Sequence, residues 1–134
     1  MLVSGLDVCN KALEYLGTKF KHQGRLKGKG VDCAGLVICV AKELSIYRGG
    51  DSKSYGRVPD GQMMLENLRD WLIEVPLDDI QPGDILLQRF DQEPQHVCIY
   101  MPNNEIIHSY AHLGEVTKHI FDEEWKKKTI ASFR

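Results

Sequence analysis

No charge of one sign dominates these 134 residues: seventeen lysines and arginines stand against nineteen aspartates and glutamates, a net charge of −2. No global field therefore draws the protein to a polyanion, and nucleic acid is not expected as a partner. Long hydrophobic runs are also lacking. The longest, residues 34–41, falls well short of the ~20 residues that span a bilayer, and no charged leader with a cleavage site precedes it. Neither a membrane partner nor export by the common route is expected, so the protein is expected to be made in the cytoplasm. Nor is there a CxxC pair: Cys9, Cys33, Cys39 and Cys98 lie 24, 6 and 59 positions apart, which fits neither a zinc site nor a dense disulfide framework. Reduced thiols are the expectation, with no metal and no cofactor. Internal repeats, low-complexity tracts and linkers are absent too, and the length suits a single domain over 1–134.

What is present is enough apolar material, 43% of residues, to fill a core. Leu6, Cys9, Leu13 and Leu16 recur at helical spacing, predicting an amphipathic helix from about Asp7 that Gly17 would cap in a left-handed conformation. Residues 18–31 hold three glycines and no sustained period, and read as an exposed loop. Residues 33–47 are apolar almost all round, as a helix buried in the domain centre would be. After a polar connection over 49–60, Met63, Met64, Leu68, Trp71 and Leu72 predict another helix, with Pro76 beyond its end. From Pro82-Gly83-Asp84 onward the pattern turns to short strands at 85–90, 96–101, 105–110 and 129–133. Helices followed by strands predict an α+β fold with a mainly antiparallel sheet.

Cys33 differs from the other cysteines in standing at the expected start of the buried helix. A thiol there meets unpaired backbone N–H groups and the positive end of the helix dipole, which favour the thiolate, so its pKa is expected to be lowered. A buried cysteine that merely opens a core helix would occupy the same position. Nucleophilic chemistry also needs an imidazole to accept the proton and a polar group to orient that imidazole. His96 and His108 lie in ordered strand context, whereas His112 and His119 sit near turn or polar sequence and read as surface residues. Zinc held by Cys33, His96 and His108 lacks any short ligand spacing.

The segments 18–25 (with His22-Gln23-Gly24) and Gly30-Val31-Asp32-Cys33-Ala34-Gly35-Leu36-Val37, then Pro82-Gly83-Asp84, His96-Val97-Cys98-Ile99-Tyr100 and Ile106-Ile107-His108, together resemble the NlpC-type cell-wall cysteine peptidases. The His-Gln-Gly form resembles most the phage-tail and prophage branch. The resemblance implies a papain-like fold in which helices, one with the nucleophile at its N-terminus, pack on an antiparallel sheet carrying the base. It implies Cys33 as nucleophile, His96 as general base and acid, and His108 as orienting group. It implies hydrolysis of peptidoglycan stem peptides at γ-D-glutamyl bonds to a diamino acid, with phage tail proteins as partners and action at the bacterial cell wall. Substrate-facing positions carried over are Phe20, where the family often has tyrosine and for which His22 is the candidate replacement, Asp32, and Ala34, where many members have serine. A non-catalytic tail-assembly module, and an amidase or acyl-transfer enzyme using the same pair, are the alternatives. In the hairpin joining the two histidines, side-chain alternation requires an odd-length connection, such as one from Met101 to Glu105 that pairs Cys98 with His108, or a β-bulge, if their rings are to meet on one face, despite the Asn103-Asn104 turn signal.

Overall fold

The computed structural model describes residues 2–47, 61–90 and 93–134. The polar connection predicted over 49–60 lies outside them, as do residues 91–92. Helix α1 spans Gly5–Leu13, opened by a capping box in which the Ser4 hydroxyl accepts from the Asp7 N–H and the Asp7 carboxylate accepts from the Ser4 N–H. It ends at Leu13, short of the Gly17 cap; Gly17 instead adopts φ +84° in the following turn and donates its N–H to the carbonyl of Val116. Helix α2, Cys33–Glu43, buries Leu36, Ile38, Cys39 and Val40, which is why its sequence is apolar on nearly every side. Helix α3 runs Gly61–Trp71 and buries Leu68.

Residues 18–31 are not an exposed loop. They contain the paired strands β1 (Arg25–Leu26) and β2 (Gly30–Val31). Main-chain bonds also lace them to their surroundings: Phe20 donates to Gly114, Val116 to Thr18, and Val31 to Lys19. Glycine and lysine content marks the turns here, while the backbone ladder leaves no side-chain signature.

A six-stranded sheet follows, made of β3 (Glu74–Val75), β4 (Ile85–Phe90), β5 (Glu93–Met101), β6 (Glu105–Tyr110), β7 (Glu115–Ile120) and β8 (Thr129–Phe133). Its order is β3-β8-β4-β5-β6-β7 and every described pairing is antiparallel. One face carries Ile85, Leu87, Val97, Ile99 and Ile107 and packs against α1, α2 and α3 through Ala12, Leu36, Val40 and Leu68. The other carries Leu86, Cys98 and Ile106 and is covered by Phe121 and by Trp125 of a short helix α4, Glu123–Lys128.

β5 and β6 pair Ile99 with Ile107, Tyr100 with Ile106 and Met101 with Glu105. The connection is therefore three residues, Pro102, Asn103 and Asn104, and the two asparagines take φ +65° and +58°, a left-handed conformation that asparagine tolerates. The odd-length connection expected from side-chain alternation is the one observed. The Pro82-Gly83-Asp84 turn is structural: a Cβ on Gly83, at φ +97°, would lie 2.4 Å from the Gly5 Cα, so α1 docks directly on it. Asp84 is buried and its two carboxylate oxygens accept from Arg134 at 2.9 Å each.

Candidate active site

Asp32 builds the approach to Cys33. As N-cap of α2 it accepts from the Gly35 N–H at 2.7 Å, from the Gln23 N–H at 2.8 Å and from the Arg25 guanidinium at 3.1 Å. One buried carboxylate thus caps the helix and fastens the 23–25 segment beside it, consistent with its preference for helix N-termini. Gly35 allows the close approach, because a Cβ there would lie 2.2 Å from the Gly24 carbonyl oxygen. Farther along, the Ser109 hydroxyl donates to the Val31 carbonyl at 2.7 Å, tying β6 to the residues just before Cys33.

Of the four backbone N–H groups that open α2, Gly35 donates to the Asp32 side chain and Leu36 to the Asp32 carbonyl. The backbone N–H groups of Val97, Ala34 and Cys33 favour the Cys33 thiolate. These donors lower the thiol pKa, but burial and then the Asp32 carboxylate outweigh them and push it up to about 11. The expectation of a lowered pKa is therefore corrected: helix N-terminal amides do not compensate for desolvation next to an anion.

His96 and His108 meet on the sheet face away from α2, with His96 Nε2 2.7 Å from His108 Nδ1. Both are buried, His108 completely. Burial, and then His108, hold His96 well below its ordinary pKa; burial, and then His119, bring His108 down to about 3. Phe90 stacks on His96 at 5.2 Å and Tyr110 on His108 at 5.6 Å, while the Trp125 ring stands perpendicular to His108 at 5.0 Å.

The reading of His119 as a surface residue is corrected as well. It is half-buried, and its Nε2 lies 2.8 Å from His108 Nε2. Sequence reasoning missed both His119 and Trp125. The signal available for His119 was parity: on β7 it alternates with buried Val116 and so faces the same side as His108, which pairs with Thr117.

A cavity of about 530 Å³ brings the sites together. Cys33, His96, Asp32, His22, Phe20 and Ala34 all line it, while His108 lies behind His96. Its far wall is apolar, formed by Val37, Met64, Leu68 and Trp71 among others. Among the described residues Cys33 makes no hydrogen bond to His96; both side chains line the cavity. No group of three or more His, Cys, Asp or Glu side chains that could hold a metal ion occurs among the described residues. No described helix is long and apolar enough to cross a membrane.

Iodoacetamide is expected to label Cys33 before Cys9, Cys39 and Cys98, because the other three are at most 8% exposed. Access sets this order, and acidity does not, since burial raises Cys9 and Cys98 too. The Cys33 rate should rise about tenfold per pH unit from pH 7 toward 11 as thiolate forms. Peptide mapping at pH 7, 8 and 9 checks this, and a pH-independent rate would contradict it.

The NlpC/P60 family model matches residues 17–134. The murein DD-endopeptidase MepS/murein LD-carboxypeptidase of Escherichia coli K12 is 25% identical across 95% of the chain, which spans 63% of that relative's length. The crystal structure of the NlpC/p60 domain of the peptidoglycan hydrolase SagA superposes with a TM-score of 0.70 at 18% identity, covering 98% of this chain and 99% of that one. RipD from Mycobacterium tuberculosis, a non-catalytic NlpC/p60 domain protein adapted to peptidoglycan binding, superposes at 0.67 and 15% identity, over 100% and 98% of the two chains.

Proposed function

The chain belongs to the NlpC/P60 family, and from that premise we propose that it is a cysteine peptidase acting on the stem peptides of peptidoglycan. The observation that carries this reading is the His96 imidazole, 2.7 Å from His108 and lining the same cavity as a cysteine at a helix N-terminus. Both partners rest neutral, so the reaction begins with proton transfer on attack rather than from a standing ion pair. In the bound complex, where catalytic contacts tighten, the Cys33 thiol loses its proton to His96 as sulfur attacks the scissile carbonyl. The N–H groups of Cys33 and Ala34, unclaimed by the Asp32 cap, are placed to donate to the oxyanion. His96 then protonates the leaving amine, giving a thioester. Water attacks it, His96 takes the water's proton, and release of the acid product returns the proton to sulfur.

The scissile bond in this reading is the γ-D-glutamyl link to a diamino acid. The family resemblance of 18–37 and 96–108 supports that choice, and the murein endopeptidase relative supports a wall-peptide substrate. The His22-Gln23-Gly24 form supports delivery to the wall on a phage or prophage tail, with tail proteins as partners. The absence of a Cys33–His96 hydrogen bond and the raised thiol favour a second reading, a peptidoglycan-binding module without turnover, and RipD shows that this fold can serve as one.

Incubation with defined muropeptides, followed by mass spectrometry, separates the readings. New γ-glutamyl products are expected. Cleavage between muramic acid and alanine would assign an amidase instead, and unchanged but bound muropeptide would assign the binding module.

A further inference from the structure

The contacts between the histidine rings end at a backbone carbonyl, and that end sets the direction of every proton along them. His119 Nδ1 lies 3.0 Å from the Ile120 carbonyl oxygen, which can only accept, so a His119 ring with one proton holds it on Nδ1 and leaves its Nε2 as an acceptor. His108 must then donate from Nε2 across 2.8 Å. That leaves His108 Nδ1 as an acceptor, and His96 donates to it from Nε2 across 2.7 Å. The remaining nitrogen of His96, Nδ1, is left with a lone pair. Burial keeps His96 and His108 neutral, so neither of them carries the second proton that would break this alternation. Trp125 covers the row, with its ring centroid 5.0 Å from that of His108 and 5.4 Å from that of His119.

We propose that His119 is a positioning residue which, acting through His108, fixes His96 in the tautomer whose Nδ1 can accept a proton. For the reaction this rests on the reading of Cys33 and His96 as the reacting pair; for the tautomers it stands on the contacts alone. An orienting group that sets the wrong tautomer is costly, on the order of 10⁴-fold in a serine-protease triad.

Two substitutions of opposite polarity test it. In His119→Gln the amide oxygen accepts from His108 Nε2–H as the imidazole does. In His119→Lys the ammonium can only donate, which reverses both contacts and places a proton on His96 Nδ1. The side-chain ¹⁵N spectrum of His96 should show unprotonated Nδ1 in the wild type and His119→Gln, and protonated Nδ1 in His119→Lys. With muropeptide substrate, kcat should fall by on the order of 10²-fold or more in His119→Lys and by less than about threefold in His119→Gln, with KM nearly constant in both. The spectra need no turnover, so an inactive wild type would end the peptidase reading while leaving the tautomer test intact. Protonated His96 Nδ1 in the wild type, or an unchanged pattern in His119→Lys, overturns the proposal. Switched spectra with equal kcat in both variants overturn its catalytic half. Should His119→Lys fail to fold, His119→Leu, which removes the acceptor, is expected to give both His96 tautomers, and a single wild-type pattern there overturns the proposal equally.

Discussion

Cys33→Ala is expected to reduce kcat on muropeptide substrate by about 10⁴-fold or more, and His96→Ala to match it, with the double variant no worse than either. Nucleophile and base act as one unit, so losing either removes the thioester route entirely. The fold should survive the first change. Alanine keeps the helix start, and the Asp32 bonds to Gly35, Gln23 and Arg25 do not involve the thiol. His96→Ala removes the partner of a buried nitrogen on His108, a loss of about 1–3 kcal/mol, so His96→Gln is the better control for folding. Initial rates with melting temperatures decide the matter. A folded Cys33→Ala protein with more than about 1% of wild-type kcat would place the chemistry elsewhere.

Stability should collapse in acid through the same rings. An unfolded histidine binds its proton near 6.5, whereas His108 in the fold does so only near 3. Between those values the unfolded chain holds the extra proton, so stability is full above pH 6.5 and is lost as pH falls. The loss is about 1.4 kcal/mol per pH unit for each such ring, on the order of 5 kcal/mol from His108 alone by pH 3. His96 shifts in the same direction and adds to it. Glu14 and Glu43, held below the usual carboxylate range chiefly by hydrogen bonds from Lys27, lose their contribution on acidification as well. Because domains are stable by only about 5–15 kcal/mol, unfolding is expected before pH 3. Urea midpoints at pH 7, 6, 5 and 4 measure the slope, and His108→Asn should remove one ring's share of it. A midpoint constant from pH 6.5 to 4 would contradict the burial of neutral imidazoles.

Elements with strong apolar patterns were legible in the sequence: α2 is buried almost all round, and β4, β5, β6 and β8 each place hydrophobic residues on a covered face. Elements held by backbone bonds or by one large side chain were not. β7 lies at the sheet edge and commits only Val116 fully to the core, and α4 contributes a single half-buried aromatic, Trp125. Neither has enough apolar residues to show a period. His119 and Trp125 reside on those two elements, which explains why neither was read as part of the candidate site. The Cys33 pKa was misjudged for a related reason: a motif displays the helix N-terminus and the neighbouring aspartate, whereas desolvation depends on residues distant in the chain.

Surface loops ordinarily absorb insertions and deletions, and homologous or engineered chains vary there most freely. The Pro102-Asn103-Asn104 connection should be an exception. Losing or gaining one residue there shifts the pairing of β6 against β5 by one position, and a strand's side chains then exchange faces. His108 would turn toward the helical layer and Ile107 toward the aromatic layer, while every residue of both strands remained unchanged. Length variation at this exposed tip is thus constrained as tightly as substitution at a core position, and libraries that randomise the three residues should keep their number fixed.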